Sequence, residues 1–150
     1  MKPYTPEQVR IGVARHLAGL GIVDYRPPGE AYPDTLVVPA VFEAVMPESP
    51  DLAVAVSVYD WSTARDKHNP DVFVQLRFRG APYDLASVDG PADQAFAVLD
   101  EAERYVMPGG VRVLQSIRKV TTPPAADANG RFERFESYRF TLNPSESSQP

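Results

Sequence analysis

Hydrophobic positions recur along the chain in two periods, and these mark out its elements. Val9, Val13, Leu17 and Leu20 return every three or four residues, which is one apolar stripe of a helix. Thr5 stands where an N-cap belongs, Pro6 at the first helical position and Gln8 at the capping-box position, with Gly21 as the stop. The pattern predicts a helix over 6–20. Residues 24–39 are cut by Pro27, Pro28, Gly29, Pro33 and Pro39 and read as a surface connection. Residues 40–46 read as a strand stopped by Pro47. Leu52, Val54, Val56 and Val58 then alternate with small residues, the period of a strand with one buried face. The short turn between these two strands predicts a hairpin.

Residues 60–71 read as a polar loop carrying Trp61. The clearest strand follows, with Val72, Val74, Leu76 and Phe78 facing one way and Phe73, Gln75, Arg77 and Arg79 the other. A second helix is predicted over 91–106, capped by Asp89 or Gly90, with Pro91 in its first turn. Its buried stripe is Ala95, Val98, Leu99, Ala102 and Val106, and Pro108-Gly109-Gly110 ends it. Residues 111–120 and 132–142 read as a long hairpin joined by 121–131, and residues 145–150 as a flexible tail. The order α-β-β-β-α-β-β predicts an α+β fold. Two helices would pack on one face of a mainly antiparallel or mixed sheet, in two layers.

Length and composition fit one domain, 1–150, with an ordered core over about 5–144. Sixteen prolines against a usual share of about 5% read as stiff connections, since they cluster between elements. The absence of cysteine removes disulfides, thiolate metal sites and cysteine nucleophiles. No run approaches the ~18 apolar residues of a membrane span, and the first residues lack a signal-peptide pattern. The expectation is a soluble protein made in the cytoplasm. A net charge of −5 argues against general affinity for nucleic acid.

Candidate chemistry is sparse. His16 sits on the first helix, and His68 lies in a loop near Asp66 and Asp71, a setting that more often means solvated carboxylates than a metal site. Phosphate-cradling glycine motifs are absent. Ser57, Ser62, Ser87 and Ser116 lack a nucleophile context, and Asp84, Asp89, Asp93 and Asp100 read as capping or solvated residues. The expectation is no catalysis, no metal and no cofactor. Basic and aromatic residues mix over 131–140, as in some oligonucleotide-binding strands. Glu133 and Glu136 interrupt that stripe and favour a sheet face with cross-strand charge pairs.

Four segments taken in order resemble the bacteriophage tail-terminator family. They are the first helix followed by Val38-Pro39-Ala40-Val41-Phe42; Met46-Pro47-Glu48-Ser49-Pro50-Asp51 leading into 52–59; Val74-Gln75-Leu76-Arg77-Phe78-Arg79-Gly80; and Asp127-Ala128-Asn129-Gly130-Arg131 leading into Tyr138-Arg139-Phe140-Thr141-Leu142-Asn143-Pro144. The likeness covers about residues 5–144, and the loop around Trp61 and the Ser/Pro tail depart from it.

The resemblance implies a virion protein assembled in the bacterial cytoplasm as a ring, expected to hold six copies. The ring would cap the head-proximal end of the tail tube, stop its growth and join it to head-completion (connector) proteins. DNA would pass through without specific binding, and no membrane is involved. On that reading Trp61, Arg131, Arg134, Glu136 and Arg139 are the interface candidates, with the charged side chains expected at the surface. Other readings are a different head–tail connector, a small hydrolase with converging carboxylates, or a nucleic-acid-binding module.

Overall fold

Thr5 does cap the first helix. In the computed structural model, which describes residues 4–43 and 45–144, its hydroxyl accepts from the Gln8 N–H at 3.1 Å and the Gln8 side chain accepts from the Thr5 N–H at 2.8 Å. α1 runs Pro6–Gly19 and buries Val9, Val13 and Leu17. Leu20, at the end of the expected stripe, lies outside the helix and is exposed. The remaining elements are β1 (Ala40–Glu43), β2 (Ala53–Ser62), β3 (Asp71–Pro82), α2 (Ala86–Leu99), β4 (Ala102–Met107), β5 (Val111–Thr121), β6 (Ala125–Ala126) and β7 (Arg131–Leu142).

The sheet runs β1-β2-β3-β7-β5-β4, with β6 added against β7. All its pairings are antiparallel except β1 with β2. The fold is therefore the expected two-helix α+β arrangement on a mixed sheet, with β4 and β6 as additions. Both helices share one core with Val54, Val56, Val72, Val74, Leu76, Phe78, Tyr138 and Phe140. The alternation of β3 is as its sequence predicts: those valines, Leu76 and Phe78 point inward, and Phe73, Gln75 and Arg77 are half-buried on the other face.

Three local expectations are corrected. First, the 40–46 and 52–58 strands do not form a hairpin. β1 ends at Glu43, and β2 starts beside Ala40, paired in parallel (Ala40 opposite Ala53). The returning chain gives its carbonyls to an arginine instead of a strand partner: Arg79 donates to the oxygens of Pro47 (2.7 Å), Pro50 (2.8 Å) and Asp51 (3.0 Å).

Second, α2 begins ahead of Pro91 and ends at Leu99, so residues 102–107 are strand β4. Just ahead of α2 the Asp84 side chain accepts from the Ser87 N–H at 3.3 Å, and Leu85 at the N-cap offers no side-chain cap. Pro91 is tolerated inside it because Gly90 has no Cβ for the proline ring to crowd. Glu101 at φ 57° breaks the helical path, and the Asp100 carboxylate takes the Arg118 N–H at 2.9 Å. Val106, expected on the buried stripe, is 52% exposed. The first turn of α2 lies so close to β3 that a Cβ on Gly80 would come within 3.0 Å of the Val88 nitrogen.

Third, Trp61 is on a strand. β2 continues to Ser62, and a bulge between Val58 and Asp60 shifts its phase, so that Trp61 stands opposite Val72 and packs, partly buried, against the core. The predicted tail over 145–150 lies outside the described residues.

Candidate assembly surfaces

The register of β3 with β7 sets Pro82 opposite Arg131, so the end of one strand and the start of the other meet at a loop-rich end of the sheet. Charges gather there in a way that sequence alternation did not foretell. Arg131 is 5% exposed. It donates to the Glu48 carbonyl at 2.7 Å and pairs with Asp51 at 3.3 Å and Asp127 at 3.0 Å. Asp127 also accepts the N–H groups of Asn129 and Arg131 (2.8 and 2.9 Å), which closes the turn. Burial pushes its carboxyl up, but these hydrogen bonds and the Arg131 charge outweigh that and leave it below the usual carboxylate range.

Further along β7, Arg134 and Glu136 point into the layer beneath α2. Glu136 is 0% exposed and receives Arg118 at 3.2 Å and Arg134 at 3.1 Å. Arg134 in turn meets Asp89 and Asp93 of α2 at 3.0 and 2.9 Å, and Arg118 lies 3.8 Å over the Phe96 ring. The surface positions expected for Arg131, Arg134 and Glu136 are thus corrected. Alternating charges on a strand signal solvent only if nothing covers them, and here α2 covers Arg134 and Glu136 while Glu48, Asp51 and Asp127 enclose Arg131. Burial also pushes up the neighbouring Tyr138 hydroxyl.

With its arginines turned inward, this end presents the carboxylates of Glu48, Asp51, Asp84 and Asp93 to solvent. Tyr83 projects among them, 85% exposed at φ 59°. Its N–H donates to the Gly130 carbonyl at 2.9 Å, and its ring lies so near Gly130 that a Cβ there would sit 2.6 Å away. Gly130 itself has φ 76°, so a side chain is disfavoured twice over.

The face of the sheet away from the helices carries Phe73, Arg77, Phe135 and Arg139. Arg77 pairs with Glu133 at 2.7 Å and lies over the Phe135 ring. The Tyr59 hydroxyl bonds Ser137. Arg139 is half-buried and donates to Gln115 at 3.1 Å, while its Nε has no partner among the described residues. One edge of the sheet is closed: Val41 of β1 donates to the Asp24 carbonyl (3.0 Å) and accepts from the Tyr32 hydroxyl (2.8 Å). Beside it opens a cleft of about 330 Å³ bordered by Arg26, Tyr32 and Phe42.

β4 forms the other edge, and among the described residues no further strand pairs with it. Arg104 sits in its middle at φ 54°. A concavity of about 290 Å³ lies between Arg104, Val106, Arg112, Leu114 and Asn143. Neither the Arg104 nor the Arg112 guanidinium bonds a described residue. Behind β4, His16 stacks on Tyr105 at 5.1 Å, and burial holds the histidine below its ordinary value. Tyr105 bonds Ser116 at 2.6 Å, and burial pushes its hydroxyl up to about 12. His68 is exposed in a turn closed by Asp66, which accepts the His68 N–H at 2.9 Å. Among the described residues no group of three His, Asp or Glu is placed to share a metal ion, and no helix is long and apolar enough to cross a membrane.

Tyr83, Arg104 and Arg112 were not among the candidates. Nothing in local periodicity marks a left-handed tyrosine, and Arg104 and Val106 fell inside the expected helix.

The chain is a small α+β subunit whose buried arginines are spent on internal clamps. The family model described as bacteriophage tail terminator protein matches residues 16–144, and the chain belongs to that family. Its role is a structural one in the phage tail. A protein in the solved structure "Virion of native gene transfer agent (GTA) particle" has a similar fold, with a TM-score of 0.53 at 15% identity, covering 68% of this chain and 77% of that one. No curated protein matches the chain.

Proposed function

We propose that this chain caps the head-proximal end of the tail tube as a closed ring, expected to hold six copies, stopping tube growth and joining tail to head. The observation that carries the reading is the family match over residues 16–144. A closed ring needs a head-to-tail contact between two different surfaces of the subunit. The loop-rich end and the β4 edge are two such surfaces. The remaining partners are the tail-tube protein and a head-completion protein, with DNA threading the ring and assembly in the host cytoplasm. The net charge of −5 favours passage of DNA over adhesion to it.

Within this reading the five interface candidates divide. Arg131, Arg134 and Glu136 act from inside by holding the loops in place, whereas Arg139 and Trp61 keep partly open surfaces for direct contact. Tube polymerisation with and without the purified chain tests the function. Tubes of bounded length with one blunt, capped end are expected when the chain is present. Equal, unbounded growth in both samples would reject it.

A further inference from the structure

We infer that the Tyr83–Asp84 tip of one copy seats in the Arg104–Arg112 concavity of the next, an inference that rests on the ring reading above. The first observation is a match of shape and chemistry. The tip is a single aromatic side chain, 85% exposed, followed by an exposed carboxylate. The concavity, of about 290 Å³, has apolar walls in Val106 and Leu114, and two guanidiniums without a partner among the described residues. Tyrosine and arginine are the side chains that most often anchor protein interfaces, because each joins a large apolar area to a directed polar group.

The second observation concerns the backbone. Tyr83 and Arg104 both adopt positive φ, 59° and 54°, a region that side-chain-bearing residues seldom occupy. Each is held there by ordered neighbours. Tyr83 is fixed by its bond to Gly130. Arg104 is fixed by the strand pairing of Glu103 with Gln115 and of Tyr105 with Val113 on either side. Strain of this kind collects at sites that bind. Here it aims one side chain outward at the tip and another along the rim of the concavity.

The third observation is placement. The tip follows the end of β3, and the concavity lies where β5 begins and β7 ends, at the opposite end of the sheet. One copy therefore does not fill its own concavity with its own tip. Each copy carries one of each, so the contact is heterologous and repeats until it closes. Charge points the same way: carboxylates of Glu48, Asp51 and Asp84 crown the tip, and Arg104 and Arg112 line the receiving surface.

Two variants and their mixture test the contact by native mass spectrometry, with circular dichroism as the folding control. One carries Tyr83→Ala with Asp84→Ala, the other Arg104→Asp with Arg112→Asp. Each alone is expected to associate at least about 30-fold more weakly than the unmodified chain, the scale of an interfacial hot spot. At high concentration the mixture is expected to give heterodimers and stop there. The sound tip of one variant fits the sound concavity of the other, and both remaining ends are damaged. Rings of either variant alone, formed as readily as those of the unmodified chain, would overturn the contact and leave the ring reading standing. So would a mixture without heterodimers. An unmodified chain that stays monomeric across the same titration would overturn both.

Discussion

Arginines behave oppositely at the two ends of this sheet. At the loop-rich end, Arg79, Arg131 and Arg134 are 4%, 5% and 9% exposed, and each is met by converging carbonyls or carboxylates. At the other end, Arg104 and Arg112 hold guanidiniums that no described residue meets. The residue type is the same and the difference lies in what surrounds it. A buried guanidinium is tolerated only when its donors are matched, and once matched it fixes the loops that supply the acceptors. The loop-rich end is thus rigid and turns carboxylates outward. The β4 end is left with unspent cationic donors, which is what a contact with a neighbour requires.

Breaking the matched set should cost most. Glu136→Ala leaves Arg118 and Arg134 facing each other without their shared carboxylate, and a loss of about 3–5 kcal/mol is expected in chemical denaturation. Replacing Arg134 and Glu136 together, by Met and Leu, should recover part of that loss. Unchanged stability of the single Glu136→Ala variant would contradict the buried cluster. Arg131→Ala should follow at about 2–3 kcal/mol, the scale of lost charged hydrogen bonds, with faster hydrogen exchange over residues 45–52 as its particular mark.

Acid should act at both ends, because Asp127 as well as Asp66 and Asp71 is held low. Burial pushes the Asp71 carboxyl up, but Arg65 and the Thr141 hydroxyl outweigh that and hold it below its ordinary value; the Asn69 side chain and the His68 N–H do the same for Asp66. A carboxyl held low contributes stability that is present above about pH 4 and lost as pH falls through its folded value. His16, held low by burial, folds as the neutral form. Its contribution is therefore complete above about pH 6.5 and declines below it. Melting temperature should fall slightly from about pH 6.5 downward, then steeply below about pH 4. A melting temperature that rose on acidification would contradict both assignments. The smallest change is expected at the open end: Arg104→Ala and Arg112→Ala should each stay within about 0.5 kcal/mol of the parent in monomer stability. A large loss there would mean these side chains hold the fold after all.

Much of this architecture is written in local pattern. Thr5, Pro6 and Gln8 spell the start of α1, and Val72 to Phe78 alternate as the central strand does. Residues 100–107 misled because Ala95, Val98, Leu99, Ala102 and Val106 keep a helical spacing across a break made by one left-handed residue, Glu101. The parallel pairing of β1 was hidden because it depends on Arg79 and Arg131 drawing a distant loop back across the sheet. Trp61 was misplaced by a one-residue bulge, which reverses every position beyond it. The charges of β7 looked solvated because the sequence of a strand says nothing of which helix will cover it. The Tyr83 tip and the Arg104 rim were not legible, since both rest on backbone strain that only neighbours can hold.

The proposed function is a place in the virion. Electron microscopy of intact particles, with an antibody fragment bound to a peptide tag fused after Pro150, locates the chain directly. Density is expected in a single ring at the head-proximal end of the tail, between tube and head. Label spread along the tube, or confined to the end far from the head, would contradict it.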